Sequence, residues 1–332
     1  MNKNKRVVVG MSGGVDSSVT ALLLKQQGYD VVGLFMRNWE YGIKGSQCPN
    51  RIEFEDAKKV GALIGIEVLG KDFVKEYKDR VFDIFLEGLK QGLTPNPDIL
   101  CNKEIKFNLF LNEARKMGAD MIATGHYAKI AKFKDHFVLD TPKDSSKDQT
   151  YFLHALSSEQ LSHAMFPLGD LTKKEVREIA RAHNLPVSDK KDSTGICFIG
   201  NQKFDEFITQ HLKAIPGDIL DENGKVIGKH KGLVCYTLGQ RKGIGLGGLK
   251  GNESENNTHK PWFVAAKDVI NNTLTIVQDT NHPLLMSKTV EASDEKVVVE
   301  FDNPQRAVTL GQSLVLYFGD YCLGGGFISF YK

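Results

Sequence analysis

Short apolar runs alternate with stretches of helical period through the first two hundred residues of the chain. Residues 6–9 are an arginine followed by three β-branched valines and are bounded by Gly10; a helical stretch follows over residues 15–27, and residues 31–36 are apolar throughout. Parallel strands need a long connection between them, and a helix is the usual one. The alternation therefore predicts an α/β fold, with a parallel sheet and helices on both of its faces.

The composition changes near residue 200, where this alternation stops. Glycine becomes frequent between residues 217 and 251, and residues 251–259 are polar and rich in asparagine. Short strands separated by turns are predicted farther on, at residues 262–266, 274–277, 297–301 and 313–318. We therefore predict three domains: an α/β domain over residues 1–200, a small central domain over 201–255 and a short C-terminal antiparallel β-barrel over 256–332.

Charge and cysteine content exclude several classes of protein. The chain has 43 Lys and Arg against 41 Asp and Glu, a net charge of +2, which excludes a strongly basic protein that coats DNA without specificity. Its five cysteines are odd in number and form no Cys-x-x-Cys pair, which argues against a secreted disulfide framework and a structural zinc site. No apolar run approaches 18 residues, so we expect a cytoplasmic protein without a membrane segment.

A glycine-rich segment, Gly10-Met-Ser-Gly-Gly-Val-Asp-Ser-Ser18, joins the first predicted strand to the first predicted helix. We expect Gly13 and Gly14 to take positive φ and to let the backbone approach a ligand closely. Successive backbone amides and the helix N-terminus favour an anion there, and three serines add hydroxyl donors. The alternative interpretation is a plain glycine-rich turn in which Asp16 is an ordinary first-turn acid.

Two common nucleotide-binding loops are absent from this segment. A Walker A loop needs a Gly-Lys-Ser/Thr ending, and no lysine occurs between Arg6 and Lys25. A dinucleotide Gly-x-Gly-x-x-Gly pattern is also missing. Without the lysine, the usual cation for the β- and γ-phosphates is lacking. The segment resembles the pyrophosphatase loop of ATP enzymes that cleave between the α- and β-phosphates, which implies an adenylated intermediate and release of pyrophosphate.

A cysteine follows two prolines in the segment Thr94-Pro-Asn-Pro-Asp-Ile-Leu-Cys-Asn102. The prolines stiffen the chain, and Cys101 is expected at or near the start of a helix, where the helix dipole lowers a thiol pKa. Its polar neighbours Asn102, Lys103 and Glu104 argue against burial. The alternative interpretation is a small buried hydrophobic residue.

A second cysteine, Cys197, lies between Gly195 and Gly200. The adjacent Ile196 and Phe198 make a core cysteine as compatible with this segment as a reactive one. The other three cysteines have no comparable context and are interpreted as structural: Cys48, Cys235 and Cys322.

Five segments in this chain resemble those of the tRNA-specific 2-thiouridylase family. They are the glycine-rich loop, Leu-Thr-Pro-Asn-Pro-Asp-Ile-Leu-Cys-Asn, Ala-Thr-Gly-His-Tyr-Ala, Lys-Asp-Gln-Thr-Tyr-Phe-Leu and Ser-Thr-Gly-Ile-Cys-Phe-Ile-Gly. They occur in the family's order over most of residues 6–200, and weaker matches continue to the C-terminus. The resemblance implies an adenine-nucleotide α-hydrolase-like fold and ATP-dependent 2-thiolation of the wobble uridine of tRNA, through adenylation of the base and sulfur transfer from a cysteine persulfide.

The resemblance also implies roles for particular residues. Cys197 matches the persulfide carrier, and Cys101 matches the nucleophile that completes the transfer and pairs with Cys197 in a transient disulfide. The residues that match the ATP site are Gly10, Met11, Ser12, Gly13, Gly14, Val15, Asp16, Ser17, Met36 and Gly125. The residues that match the segment holding the target base are Asn96, Pro97 and Asp98, of which Asp98 is assigned acid–base assistance.

Further positions match tRNA contacts in the family: His126, Lys147, Asp148, Gln149 and Gln312. From the residues alone, a histidine at a strand end could equally be a satisfied core group, and residues 147–149 would be an ordinary solvated loop. The implied partners are tRNA and a sulfur-donor protein such as a cysteine desulfurase or a persulfide carrier. Mg²⁺ is expected with ATP, and no residue is assigned as a metal ligand.

One stretch departs from the family's pattern. Family members run longer between Asp294 and Phe301, through a basic strand that touches tRNA, so we expect the C-terminal barrel here to be incomplete. Two competing functions also remain at this point. One is another pyrophosphatase-loop enzyme, which adenylates a small molecule for amide or amine transfer and needs neither cysteine. The other is a non-catalytic tRNA-binding relative.

Overall fold

A computed structural model describes residues 5–41, 48–192, 196, 198–199, 203–245, 260–292 and 297–332. Its contacts divide the chain into two compact units. The first unit comprises Met1–Asp83, Pro97–Gly200 and Val315–Gly325, and the second comprises Ile84–Asn96, Asn201–Leu314 and Gly326–Lys332. The three domain limits expected from the sequence stay a prediction.

Helices and strands alternate through the first unit, and strands dominate the second. The helices are α1 (Val15–Gln26), α2 (Pro49–Ile64), α3 (Val74–Tyr77), α4 (Asp83–Lys90), α5 (Pro97–Leu100), α6 (Phe110–Lys116), α7 (Thr150–Leu153), α8 (Ser158–Ser162), α9 (Lys173–Ala182) and α10 (Phe204–His211). Two π-helical segments, Lys78–Phe82 and Cys101–Leu109, continue α3 into α4 and α5 into α6.

The strands of the first unit up to residue 165 are β1 (Arg6–Gly10), β2 (Asp30–Arg37), β3 (Val68–Asp72), β4 (Met121–Ala123), β5 (Lys129–Phe133), β6 (His136–Asp140) and β7 (Ala164–Met165). Those that follow are β8 (Gly217–Leu220), β9 (Val226–His230), β10 (Phe263–Asp268), β11 (Thr273–Val277), β12 (Met286–Ala292), β13 (Val297–Arg306), β14 (Ser313–Phe318) and β15 (Tyr321–Tyr331).

A five-stranded parallel sheet in the order β3-β2-β1-β4-β7 forms the centre of the first unit. Side chains alternate across β1, so Val7 and Val9 pack into one apolar cluster and Val8 into another. The first cluster includes residues of α1, α2 and α9, and the second includes Phe107 and Phe110 of the long helix over residues 97–116. The predicted parallel sheet with helices on both faces is confirmed.

An antiparallel hairpin of β5 and β6 interrupts the α/β pattern, and the sequence did not predict it. Its strands mix lysines and aromatic residues and turn at Lys134, which takes a positive φ of 54°. The start of β15 adds to the hairpin, where Cys322 pairs with Leu139. The strands were missed because their local alternation between apolar and polar residues is short and irregular.

The second unit is built mainly of antiparallel strand pairs, with one exception. Strand β10 pairs with β11, and β12 pairs with β13 and with the end of β15, all antiparallel. Strand β11 also pairs in parallel with β8, but β8 lies in the predicted central domain, and the pairings above among strands after residue 260 are antiparallel, as expected. In the order β13-β12-β15, β13 is outermost and its Val298 side chain is 58% exposed.

The helices of the described residues are short or carry charged faces. Among those residues, no helix combines the length and the apolar character that a bilayer crossing requires.

Candidate active site

The glycine-rich loop lies at the carboxyl end of β1, where ligands bind in open parallel sheets. Gly13 takes a φ of +73°, and a Cβ built there would lie 2.3 Å from the backbone oxygen of Glu53. Gly14 takes a φ of −99° and caps the first turn of α1. The expectation of positive φ is therefore confirmed for Gly13 and wrong for Gly14, whose extended backbone suits any residue.

The serines of the loop divide into an outward one and two that brace the turn. Ser18 is fully buried and donates its hydroxyl to the Gly14 oxygen at 2.7 Å, so it does not serve as the ligand donor that the sequence suggested. The Ser17 hydroxyl also contacts the Gly14 oxygen, at 3.2 Å, and accepts a bond from the Ser12 amide at 3.1 Å. Ser12 is exposed, and its hydroxyl lies 3.2 Å from that of Ser17.

Substituting Gly13 with alanine is expected to weaken ATP binding by about tenfold or more, because both the strained φ and the Glu53 backbone oppose a side chain. Gly28→Ala is the matched control. Gly28 also takes a positive φ, of 83°, but a Cβ there would meet nothing within 4 Å. Urea unfolding and nucleotide titration of both variants would measure the effect. Equal ATP affinity in the two variants would contradict the expectation.

Two further positions of the expected ATP site lie beside the loop. A Cβ at Gly125 would lie 2.8 Å from the Ser17 amide nitrogen, so only glycine lets the segment after β4 pack on the start of α1. Met36, near the end of β2, approaches Gly10, because its Cε would lie 3.5 Å from a Cβ built there. The carboxyl ends of β1, β2 and β4 are adjacent in the sheet, and they bring these residues to one edge.

Cations reach the loop from distant parts of the chain, which the sequence did not predict. Lys173 donates to both carboxylate oxygens of Asp16, at 2.7 and 2.8 Å, and contacts Asp192 at 2.8 Å. Lys190 donates to the Gly13 oxygen at 2.9 Å and to Asp56 at 3.0 Å. The loop itself lacks the Walker A lysine, as expected, but two lysines from elsewhere in the chain contact it. The local pattern gave no signal, since these residues follow the loop by more than 150 positions.

Asp192 is held by several cations at once. Burial alone would raise the pKa of its carboxyl, but hydrogen bonds from Lys173 and Lys147 outweigh burial and lower that pKa to about 2. Arg177 also donates to Asp192, at 2.7 Å. The carboxylate is therefore ionised throughout the neutral range and organises the surrounding basic side chains.

Cys101 lies near the start of the long helix, as expected, since α5 begins at Pro97. Its side chain is nevertheless only 2% exposed, so the expectation that polar neighbours keep it out of the core is wrong. Helical geometry places Cys101 on the inner face with the fully buried Ile105, four residues later, while Lys103 stays exposed. The thiol is therefore shielded from solvent in this conformation.

Asp98, Lys106 and His126 form a polar group near this cysteine. Burial raises the pKa of the Asp98 carboxyl, and the charge of Lys106 partly opposes the rise. The Lys106 ammonium also lies 3.5 Å from Nε2 of His126. Lys106 was not predicted as a site residue, although it follows Asp98 by eight residues on one helix, a spacing that places both on one side of a helix.

The His126 side chain is half-buried and is contacted from several sides. Burial lowers its pKa well below 6.5, and the Lys106 charge lowers it further. Its Nδ1 lies 2.7 Å from the Thr124 hydroxyl, which fixes the ring just beyond the end of β4. The ring also packs against Phe107 and Phe166, with centroids 6.0 and 6.1 Å away. The geometry fits both a core group and a site group, so the tRNA role stays a prediction.

Residues 147–149, also expected to contact tRNA, make contacts within the first unit. Lys147 pairs with Asp192 at 3.0 Å, and the Gln149 side-chain oxygen accepts from the Tyr127 amide at 2.9 Å. The Asp148 carboxylate accepts from the amide of Thr150 at 2.9 Å. In the second unit, Gln312 donates to the backbone oxygen of Thr94, two residues before Asn96. Their tRNA roles stay predictions.

Cys197 lies outside the described residues, so its predicted role has no geometry to compare with. The next residue, Phe198, is 1% exposed and packs in an aromatic cluster of the first unit. Its ring centroid lies 5.1 Å from that of Phe82 and 5.5 Å from that of Trp39. Among the residues with described positions, no group of three His, Cys, Asp or Glu side chains has a geometry that would hold a metal ion.

Comparison with known families matches nearly the whole chain. Residues 5–201 match the model described as "tRNA methyl transferase HUP domain". Residues 205–278 match "tRNA methyl transferase PRC-barrel domain", and residues 258–328 match "Aminomethyltransferase beta-barrel domain".

The curated relatives are similar over their full lengths. A tRNA-specific 2-thiouridylase MnmA 2 from Aliarcobacter butzleri (strain RM4018) is 86% identical, over 100% of both chains. A tRNA-specific 2-thiouridylase MnmA from Burkholderia pseudomallei (strain 1106a) is 50% identical, over 98% of this chain and 93% of its own. The first alignment runs over 367 positions against 332 residues in this chain, so that relative holds at least 35 residues that this chain lacks.

Among solved structures, a 4-thiouridine synthetase–RNA complex with bound ATP matches with a TM-score of 0.37 and 15% identity. The match covers 62% of this chain and 50% of that one. So distant a likeness carries no functional argument.

Proposed function

The chain belongs to the tRNA-specific 2-thiouridylase family, and from this premise we propose that it uses ATP to replace O2 of the wobble uridine of tRNA with sulfur. The enzyme is a tRNA sulfurtransferase. The observation that carries the detailed proposal is the arrangement of the first unit. A loop that only glycine can form, at Gly13, lies at the carboxyl edge of the sheet, and the same unit holds Asp98 and Cys101.

The first step in the proposal is adenylation of the base. O2 of the uracil attacks the α-phosphorus of ATP, the α–β bridge breaks, and its electron pair leaves with pyrophosphate. The loop from Gly10 to Ser17 fits the triphosphate, because the backbone at Gly13 and the start of α1 present amides to an anion. Mg²⁺ accompanies the phosphates and neutralises part of their charge.

Asp98 takes the N3 proton of the uracil in this step. Burial raises the pKa of its carboxyl, which strengthens an aspartate as a general base. The neighbouring Lys106 keeps a positive charge close to the ionised form. Asn96 and Pro97 precede it in a segment that the two prolines stiffen, which suits a rigid support for a base that has left its stack.

The second step transfers the sulfur. The outer sulfur of a persulfide on Cys197 attacks C2, the C2–O2 bond breaks, and AMP leaves with that oxygen. The Cys101 thiolate then attacks Sγ of Cys197, a disulfide forms between the two cysteines, and the transferred sulfur keeps its electron pair on C2. Asp98 returns the proton to N3, and the protons of the two thiols go to solvent.

The persulfide and the final disulfide require two partners. A sulfur-donor protein, such as a cysteine desulfurase or a persulfide carrier, reloads Cys197. A cytosolic dithiol first reduces the disulfide between Cys101 and Cys197 by thiol–disulfide exchange. Burial of Cys101 limits its exchange with other thiols between turnovers, since access is one determinant of the exchange rate.

Mass spectrometry of wobble nucleosides tests the proposal directly. Purified protein is incubated with unmodified tRNA, a cysteine desulfurase with its cysteine substrate, a dithiol and ATP with Mg²⁺, and the digested tRNA is analysed for 2-thiouridine. We expect 2-thiouridine in the complete reaction and none when ATP is replaced by AMP. Pyrophosphate release without thiolated tRNA would contradict the proposal and favour adenylation of a small molecule for amide or amine transfer.

A further inference from the structure

Lys173 is the most enclosed cation at the glycine-rich loop. Its side chain is 13% exposed, whereas that of Lys190, the other lysine touching the loop, is 34% exposed. Lys190 donates to the backbone oxygen of Gly13 and to the side chain of Asp56, and so links the glycine-rich loop to α2. Lys173 instead donates to the side chain of Asp16, which lies in the first turn of α1. The N-terminal end of a helix favours a bound anion.

Two helices hold Lys173 in this place. It is the first residue of α9, whose start is fixed by a capping box between Thr172 and Glu175. Its backbone amide also donates to Asp144 at 2.9 Å. Residues of α9 pack with residues of α1 in one apolar cluster, for example Val176 with Val19. The lysine backbone is therefore rigid relative to the loop, and only its four-carbon side chain needs to move to reach a new partner.

Asp16 and Asp192 each keep another hydrogen-bond donor when Lys173 moves away. Asp192 keeps hydrogen bonds from Lys147 and Arg177, at 3.0 and 2.7 Å. Asp16 keeps the hydroxyl of Tyr127 at 2.9 Å and is about one-third exposed to water. A buried ion pair is costly to break when one partner stays unpaired, and here neither partner does.

We propose that Lys173 binds the β- and γ-phosphate oxygens of ATP, and then the pyrophosphate that leaves, in place of the lysine that this loop lacks. The inference rests on the proposed function for the identity of the nucleotide. During adenylation, negative charge grows on the bridging oxygen of the departing β-phosphate, and a fixed ammonium nearby stabilises that charge. Without phosphates, the same ammonium is held by Asp16 and Asp192. Nucleotide binding therefore exchanges carboxylate partners for phosphate partners.

Nucleotide titration without tRNA tests this assignment. We expect Lys173→Met to weaken binding of ATP and of inorganic pyrophosphate by about 10- to 100-fold, equivalent to about 1.4–2.8 kcal/mol. Binding of AMP, which has neither the β- nor the γ-phosphate, is expected to change by less than about twofold. Lys174→Met is the matched control, because Lys174 is the next residue of α9 and its side chain is 87% exposed.

A conservative variant keeps the test decisive if Lys173→Met fails to fold. Lys173→Arg retains the positive charge beside Asp16 and Asp192, so it is expected to fold and to lose ATP affinity by a smaller factor while AMP affinity is unchanged. Unchanged ATP affinity in either folded variant, or an equal loss for ATP and AMP, would overturn the assignment. Because the readout needs no tRNA, it is independent of whether the wild-type protein makes 2-thiouridine.

Discussion

Replacing Cys101 with serine is expected to lower the rate of tRNA thiolation by at least about 10³-fold, because a hydroxyl cannot attack a disulfide sulfur as a thiolate does. The transferred sulfur then stays bonded to both C2 and Sγ of Cys197, and the reaction stops after AMP has left, with the tRNA still attached to the protein. Cys197→Ser is expected to have an effect of the same size, since it removes the sulfur carrier. Counting 2-thiouridine per tRNA over time measures both, and pyrophosphate release should persist in both.

The remaining cysteines supply the controls for this prediction. Cys48 is half-buried, and Cys48→Ser is expected to leave the thiolation rate within about twofold of the wild type. Cys235→Ser and Cys322→Ser should also retain thiolation, although both side chains are buried and their variants should be checked by thermal melting. Full activity in a folded Cys101→Ser or Cys197→Ser variant would contradict the sulfur relay.

Asp98→Asn is expected to lower the maximal thiolation rate by about 10²- to 10⁴-fold, because an amide cannot accept the N3 proton of the uracil. The pH dependence of the wild-type thiolation rate should show the raised pKa of Asp98. Asp98 acts as a base only when ionised, and burial raises its pKa above 3.8, so the rate should fall with decreasing pH at a higher pH than an ordinary aspartate would give. In the Asn variant this acidic limb should disappear.

An exposed aspartate in a neighbouring helical segment is the control for the charge change. Asp79 is about half exposed and pairs with Lys75, so Asp79→Asn should keep both the rate and the acidic limb. If Asp98→Asn keeps the acidic limb at a reduced rate, another group accepts the proton and Asp98 only positions the base.

Local sequence patterns predict the sheet well because each strand and each helix has a characteristic spacing of apolar residues. The strand ending at Gly10 and the helix beginning at Val15 are both observed within one residue of expectation. Gly13 is predictable for a related reason. A positive φ with no room for a Cβ is a property of one position, and glycine is the residue that satisfies it.

The sequence pattern did not predict features that depend on contacts between distant segments of the chain. Lys173 and Lys190 reach the loop only because α9 and the chain after it pack against α1, and no spacing in the sequence encodes that contact. The burial of Cys101 follows from which face of its helix is turned inward, and its immediate neighbours gave the opposite signal. The β5–β6 hairpin is stabilised by the pairing of its two strands, and neither strand has a long alternation of apolar and polar residues that would predict it.

For the C-terminal strands, the sequence predicted some features and did not predict others. Strands β13 and β14 begin at the predicted residues. That a stretch is missing before Phe301 stays a prediction. Strand β13 is outermost in its sheet, and its exposed Val298 shares a strand face with the exposed Glu300 and Asp302.

A single-turnover experiment tests most directly whether an activated base and a sulfur-bearing thiol meet in one site. Protein carrying a persulfide is mixed with unmodified tRNA and ATP without reductant, then alkylated, digested and analysed as non-reduced peptides. We predict a disulfide between Cys101 and Cys197 in an amount equal to the 2-thiouridine formed, and no such disulfide when ATP is omitted. Formation of 2-thiouridine without that disulfide would contradict the proposed relay.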